Sequence, residues 1–183
     1  VTSSCSICLE HFTGDGGYHP ECIESLFGTT TLPTLDVALS KLYSLAASNM
    51  AGKMSISGVQ EKVSLTLSSA KTSLEVAATG GRYILKPESS RFSSIPPNEQ
   101  LTMLLARLVD IEVPPFGLIR LKDDAMAYVV RRFDRLDNGS KLQVEDFCQL
   151  AQKRLKDKYD GSAELCVKIL RDFATEPLTE IWK

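Results

Sequence analysis

The sequence has only two histidines, His11 and His19, and both fall within its first 22 residues. That scarcity removes support for Ser-His-Asp chemistry. It also leaves Cys148 and Cys166 without an imidazole partner in their stretch of the chain. No apolar run approaches the roughly 20 residues that a membrane helix needs, and no basic-then-apolar signal segment opens the chain. Neither charge sign is in excess: 21 Lys and Arg stand against 23 Asp and Glu, a formal net charge of −2. So balanced a chain projects no field that draws it to nucleic acid or an anionic membrane, and any DNA contact would need a local patch or a partner. Five cysteines are too few, and odd in number, for a disulfide scaffold, which fits a reducing cytoplasm. The chain opens on Val1 and not on methionine, as expected of a trimmed or engineered end.

What is present is ordinary globular material. Of the 183 residues 43% are hydrophobic and 24% charged, enough for one generous domain or two small ones. No internal repeat is visible. Residues 1–28 form a Cys/His box closed by Gly28 as a helix C-cap. After a linker, Leu35, Ala38, Leu39, Leu42, Leu45 and Ala46 predict a helix over 35–48 with Thr34 as N-cap. Alternation predicts strands at 63–67, 74–77 and 83–86, the last two joined by a tight turn at Gly80-Gly81. Ser89 to Pro97 reads as a mobile loop. Asn98 then caps a helix whose apolar face is Leu101, Leu104, Leu105, Leu108 and Val109. Strands at 116–121 and 125–133 follow, and from Glu145 the pattern is helical. Strands around one helix, then helices, make an α+β fold.

Cys5-x2-Cys8, ten residues, then His19-x2-Cys22 has the spacing of metal ligands. Three thiolates and an imidazole can close a tetrahedral zinc site, with Gly14, Gly16 and Gly17 letting the knuckle fold back. The other reading is a small reduced-thiol subdomain in which His19 is only hydrogen-bonded.

Two further features belong to nucleotide chemistry. Met54-Ser55-Ile56-Ser57-Gly58-Val59-Gln60-Glu61-Lys62 is a small-residue loop of the kind whose backbone N–H groups cradle phosphate, although it lacks the Gly-x-Gly-x-x-Gly spacing of ordinary protein kinases. Tyr83-Ile84-Leu85-Lys86 is a strand ending in lysine, with Glu99 in the next helix placed to hold it. A plain turn and a solvated lysine are the simpler readings of each alone. Their order decides: loop, strand, strand lysine, helix with an early Glu, more strands. That is the succession of parts in a kinase N-lobe. By spacing alone Arg131, Arg132 and Arg135 read as a solvated, ion-paired face, and so does the charge run from Lys153 to Lys158. Cys148 and Cys166 read as core residues.

Ser-Ile-Ser-Gly-Val-Gln-Glu-Lys-Val at 55–63, Tyr-Ile-Leu-Lys-Pro at 83–87 and Asn98-Glu99 together resemble the HipA family of bacterial toxin kinases. So do Val113-Pro114-Pro115, Arg132-Phe133-Asp134-Arg135 and Glu145-Asp146-Phe147-Cys148-Gln149. The resemblance runs from about Cys5 to the C-terminus and is nearest the short HipT form. It implies a phosphatidylinositol-kinase-like bilobal fold, divided here into the box (1–28), an N-lobe-like region (29–143) and the hinge and first helices of a C-lobe (144–183). Such proteins use Mg-ATP to phosphorylate an aminoacyl-tRNA synthetase and pair with an antitoxin of the HipB or HipS kind, which makes any contact with DNA. Carried over position by position, the resemblance implies that Ser57, Gly58, Val59 and Gln60 form the phosphate loop. Lys86, held by Glu99, would meet the ATP phosphates, and Glu145, Asp146 and Phe147 would border adenine. Ser55 and Ser57 would be autophosphorylation sites.

The family's catalytic base and metal-binding aspartate lie in motifs such as Asp-x-His-x-x-Asn, and the sequence contains none. The chain as written is therefore expected to be inactive in phosphoryl transfer. The alternative to a kinase is a zinc-stabilised interaction module without chemistry of its own.

Overall fold

The computed structural model describes residues 3–13, 16–52, 62–89 and 93–183. The chain divides into two units, Val1–Phe133 and Asp134–Lys183.

The first unit opens with a short antiparallel pair, β1 (Ser3–Ser4) and β2 (His11–Phe12), followed by α1 (Pro20–Phe27). Pro20 suits a first turn, where its missing N–H would have no helical partner. Gly28 ends the helix in the left-handed conformation, φ 69°, its N–H on the Glu24 carbonyl at 2.8 Å. Then come α2 (Leu39–Gly52), β3 (Val63–Leu67), β4 (Leu74–Val76), β5 (Tyr83–Pro87), α3 (Ile95–Leu108), β6 (Phe116–Arg120) and β7 (Met126–Arg131). The five strands form one antiparallel sheet in the order β4-β3-β5-β7-β6.

Alternation along the strands gives the sheet two covered faces. Leu65, Leu85, Ala127 and Val129 point to one, where they share a core with Ile7, Ile23, Leu26 and Phe27 of the Cys/His box. Phe116, Leu118 and Tyr128 point to the other, against Met103 and Leu104 of α3. The box is thus continuous with the sheet's core, and the first unit ends ahead of the 143/144 junction read from sequence.

Three local expectations change. Gly80-Gly81 does not close a hairpin, because β3 lies between β4 and β5. Val76 and Tyr83 both stand opposite Leu65, on its two sides, so the chain crosses β3 at that level. A Cβ on Gly81 would lie 2.1 Å from Ser64 Oγ and 2.8 Å from the Leu65 carbonyl, so only glycine lets the crossing lie this close. Helix α3 begins at Ile95, not at Asn98. Its two prolines sit in the first turn, where no N–H is required, and the Asn98 N–H bonds back to the Ser94 carbonyl at 3.1 Å. Helix α2 begins at Leu39. Thr34 is drawn into a bridge with Ser73, and the Leu39 N–H is received by Asp123 Oδ2 at 3.0 Å from the β6–β7 turn.

In the second unit, Arg135 and Lys141 form a bridge, followed by α4 (Phe147–Leu150), a 3-10 turn (Leu155–Asp157), α5 (Ala163–Phe173) and α6 (Pro177–Trp182). The short α4 is held by a capping box: Asp146 accepts the Gln149 N–H at 2.9 Å while Gln149 Oε1 accepts the Asp146 N–H at 2.8 Å. Arg135 is mostly covered and pairs with the buried Asp134 at 2.5 Å, and Lys158 is largely covered against Asp146 at 2.7 Å. Neither is the solvated charge that spacing suggests. Cys148 and Cys166 are only partly buried.

Candidate functional site

Lys86 lies on the inner strand β5, between β3 and β7, with Tyr128 opposite it in the β5–β7 ladder. Its neighbours Leu85 and Pro87 are both buried, Leu85 in the core on the box side. Alternation therefore sends Lys86 to the face covered by α3. There its ammonium forms an ion pair with Glu99, one turn into α3. The same ammonium lies 5.6 Å from the centroid of the Tyr128 ring. Both partners of the pair are about a quarter exposed, 25% and 24%, so the charge is sheltered and still reachable by a ligand. Burial, reinforced by the Glu99 charge, holds the Tyr128 phenol well above its ordinary pKa, so it stays neutral beside the pair.

The candidate loop residues Ser55, Ser57, Gly58, Val59 and Gln60 lie outside the described residues. The strand that follows them is described: Val63 stands opposite Leu85, next to Lys86. Glu145, Asp146 and Phe147 belong to the second unit. There Asp146 caps α4 and binds Lys158, whose pKa this hydrogen bond raises. Glu145 Oε1 accepts from Gln143 Nε2 at 3.4 Å, and Phe147 is exposed.

Cys5, Cys8, His19 and Cys22 come together. Their ligand atoms all lie within 4.8 Å of one another, a group that could hold a metal ion. Cys5 and Cys8 flank a turn after β1, His19 is the N-cap of α1, and Cys22 is in that helix's first turn. His19 Nδ1 is 3.4 Å from Cys8 Sγ and 3.9 Å from Cys22 Sγ. Its Nε2 is 3.1 Å from the His11 carbonyl. With Nε2 donating there, the Nδ1 lone pair faces the sulfurs, which is how a backbone carbonyl fixes the tautomer and orientation of a ligand histidine. A tetrahedral zinc with Zn–S of about 2.3 Å has ligand–ligand edges of about 3.8 Å, so a small contraction of the group would close the shell. Burial pushes thiols up. At Cys5 the backbone N–H groups of Cys8, His19 and Ile7 outweigh it and bring the thiol down to about 7. Burial and the neighbouring thiols push Cys22 up to about 12.

Two residues escaped the sequence reading. Tyr128 could have been found from its place in the strand alternation. Gln100 could not, since a glutamine beside Asn98 and Glu99 reads as a polar helix start. It is 1% exposed and makes two hydrogen bonds to the Cys-x2-Cys turn.

No helix among the described residues is long and apolar enough to cross a membrane. Two proteins of Sinorhizobium fredii (strain NBRC 101917 / NGR234) are similar in sequence. "Putative kinase Y4mE" is 30% identical over 139 residues, 72% of this chain and 33% of that protein. "Putative kinase Y4dM" is 32% identical over 135 residues, 64% of this chain and 32% of that protein. A "Putative kinase" of Haemophilus influenzae (strain ATCC 51907 / DSM 11121 / KW20 / Rd) is 31% identical over 110 residues, 58% of this chain and 31% of that protein. The chain spans about a third of the length of these relatives. Residues 54–183 match the model of the HipA-like C-terminal domain, and with that match over most of its length the chain belongs to this kinase-related family.

Proposed function

We propose that this chain is the ATP-binding part of a bacterial toxin–antitoxin Ser/Thr kinase of the HipA or HipT type. The observation that carries the reading is the Lys86–Glu99 pair, an inner-strand lysine held by a helix carboxylate. A fixed ammonium neutralises phosphate charge without reorganising, and its partner prevents it from swinging to solvent. The β3–β5 register supports the loop assignment, since Val63 emerges beside Lys86. On this reading Ser57, Gly58, Val59 and Gln60 receive the phosphates by their backbone, and Glu145, Asp146 and Phe147 border adenine. Mg-ATP is the cofactor, Ser55 and Ser57 are autophosphorylated, and the fold is phosphatidylinositol-kinase-like. No residue of this chain is assigned to the transfer step. The substrate is an aminoacyl-tRNA synthetase, the partner an antitoxin of the HipB or HipS kind through which DNA is reached, and the compartment the cytoplasm.

A second reading, an interaction module stabilised by zinc, is favoured by the Cys/His group alone. Thermal unfolding with and without Mg-ATP separates the two. A ligand that binds only the native state at a hundredfold excess over its Kd stabilises by about 2.7 kcal/mol. Mg-ATP is expected to raise the Tm of the unaltered chain and to leave Lys86→Met unmoved. A Tm indifferent to Mg-ATP in the unaltered chain would overturn the kinase reading.

A further inference from the structure

The Cys-x2-Cys turn is built into the helix that carries Glu99. Between Cys5 and Cys8 lie Ser6 and Ile7. Gln100 Nε2 donates to both of their carbonyls, at 2.7 Å to Ser6 and 2.9 Å to Ile7. The Ser6 carbonyl also accepts the Leu118 N–H of β6 at 3.1 Å. The Ile7 side chain presses on Gly117, where a Cβ would lie 2.6 Å from Ile7 Cγ1. A buried amide is tolerated only while its partners stay in place, so the shape of this turn and the position of Gln100 are coupled. Gln100 is the residue next to Glu99.

We propose that Cys5, Cys8, His19 and Cys22 hold one zinc ion as a structural centre, and that the metal-held turn positions α3 through Gln100 and so sets Glu99 against Lys86. The ligands come from two elements, the turn after β1 and the start of α1, which a metal would lock together. The His19 N–H points at Cys5 Sγ at 3.4 Å, and the Leu9 N–H closes the turn on the Cys5 carbonyl at 2.9 Å. Three sulfurs and one imidazole select a soft tetrahedral ion over magnesium or calcium. Because the ligands must be brought together, the binding energy of the metal is spent on the conformation of the turn. The bonds from Gln100 and Leu118 then pass that conformation to α3 and to β6, the edge strand of the sheet. Gln100 is a positioning residue, acting through the helix it shares with Glu99. Any effect on nucleotide affinity rests on the kinase reading; the metal and the positioning do not.

The test uses the full chain, without nucleotide first. Metal analysis is expected to find near one zinc per chain. Cobalt substituted for it should give the visible bands of a tetrahedral thiolate site, a readout that needs no variant. Hydrogen exchange of the first two turns of α3 is expected to speed up about tenfold on chelation. Gln100→Met should keep the zinc and show the fast exchange with metal bound. A metal-free chain with no cobalt bands, iron in place of zinc, or α3 exchange that is identical with and without the metal would each overturn the proposal. Failure of the zinc-loaded chain to bind Mg-ATP, with the metal and exchange results as expected, would count against the kinase reading alone.

Discussion

Tyr128 stands directly opposite Lys86 across the β5–β7 ladder, and the lysine ammonium lies 5.6 Å from the centre of its ring. The phenol is buried and feels the negative charge of Glu99, which is why it resists ionisation. An unfolded tyrosine loses its proton near pH 10. The folded pKa is raised, so stability from this group is complete below about pH 10 and is lost as pH rises toward the folded value. From about pH 9 to about pH 11 the unaltered chain should lose more stability than Tyr128→Phe, by up to about 1.4 kcal/mol per pH unit. Urea midpoints of the two proteins at both pH values check it. Equal losses would show that Tyr128 is not held neutral.

Gly81→Ala should destabilise the first unit by about 1–3 kcal/mol. Ser64 Oγ can rotate away from the new methyl group, whereas the Leu65 carbonyl is part of the sheet. Gly80→Ala meets no atom within 4 Å and should cost only the strain of its φ of +71°, about 1 kcal/mol. Chemical denaturation of both variants gives the comparison, and a smaller cost at Gly81 than at Gly80 would contradict the tight crossing.

Asp123→Ala should cost about 1 kcal/mol, the size of a helix N-cap, although Asp123 lies far along the chain from α2. Asp123→Asn keeps an oxygen acceptor for the Leu39 N–H and serves as the reference. Near-equal unfolding midpoints for the two would remove Asp123 from that role.

A phosphate on Ser55 or Ser57 would add about −1.5 to −2 charge, next to the nucleotide phosphates on the kinase reading. Ser55→Asp together with Ser57→Asp in the complete protein should therefore weaken Mg-ATP binding, by about tenfold, or about 1.4 kcal/mol. Calorimetric titration measures this directly, and an unchanged Kd would sink the regulatory role of the two serines.

Strand positions were legible because period-2 alternation reports burial directly: Val63, Leu65 and Leu67 carry it, and the first two are buried while Leu67 is partly so. Helix starts were less legible. Pro96 and Pro97 look like a loop until one notes that a first turn needs no N–H. The start of α2 is set by Asp123, which no window around residue 39 contains. On the helix faces, Leu101, Leu105, Leu108, Val167 and Phe173 carry the apolar period and are exposed here. Periodicity shows that a face is apolar and is silent on what covers it.

The sequence by itself determined the family, the α+β order of elements and the candidacy of Lys86, Glu99 and the four Cys/His residues, because residue type and spacing carry that information locally. The tertiary structure decided which of these meet. It set Lys86 against Glu99 and Tyr128, drew Cys5, Cys8, His19 and Cys22 into one group, and joined that group to α3 through Gln100. It also placed β3 between β4 and β5, making Gly81 a crossing point and not a hairpin turn. The physical reason is the same in each case: strand order and helix docking follow from burying whole faces at once, and the partners so brought together lie too far apart in the chain for any local pattern to name them.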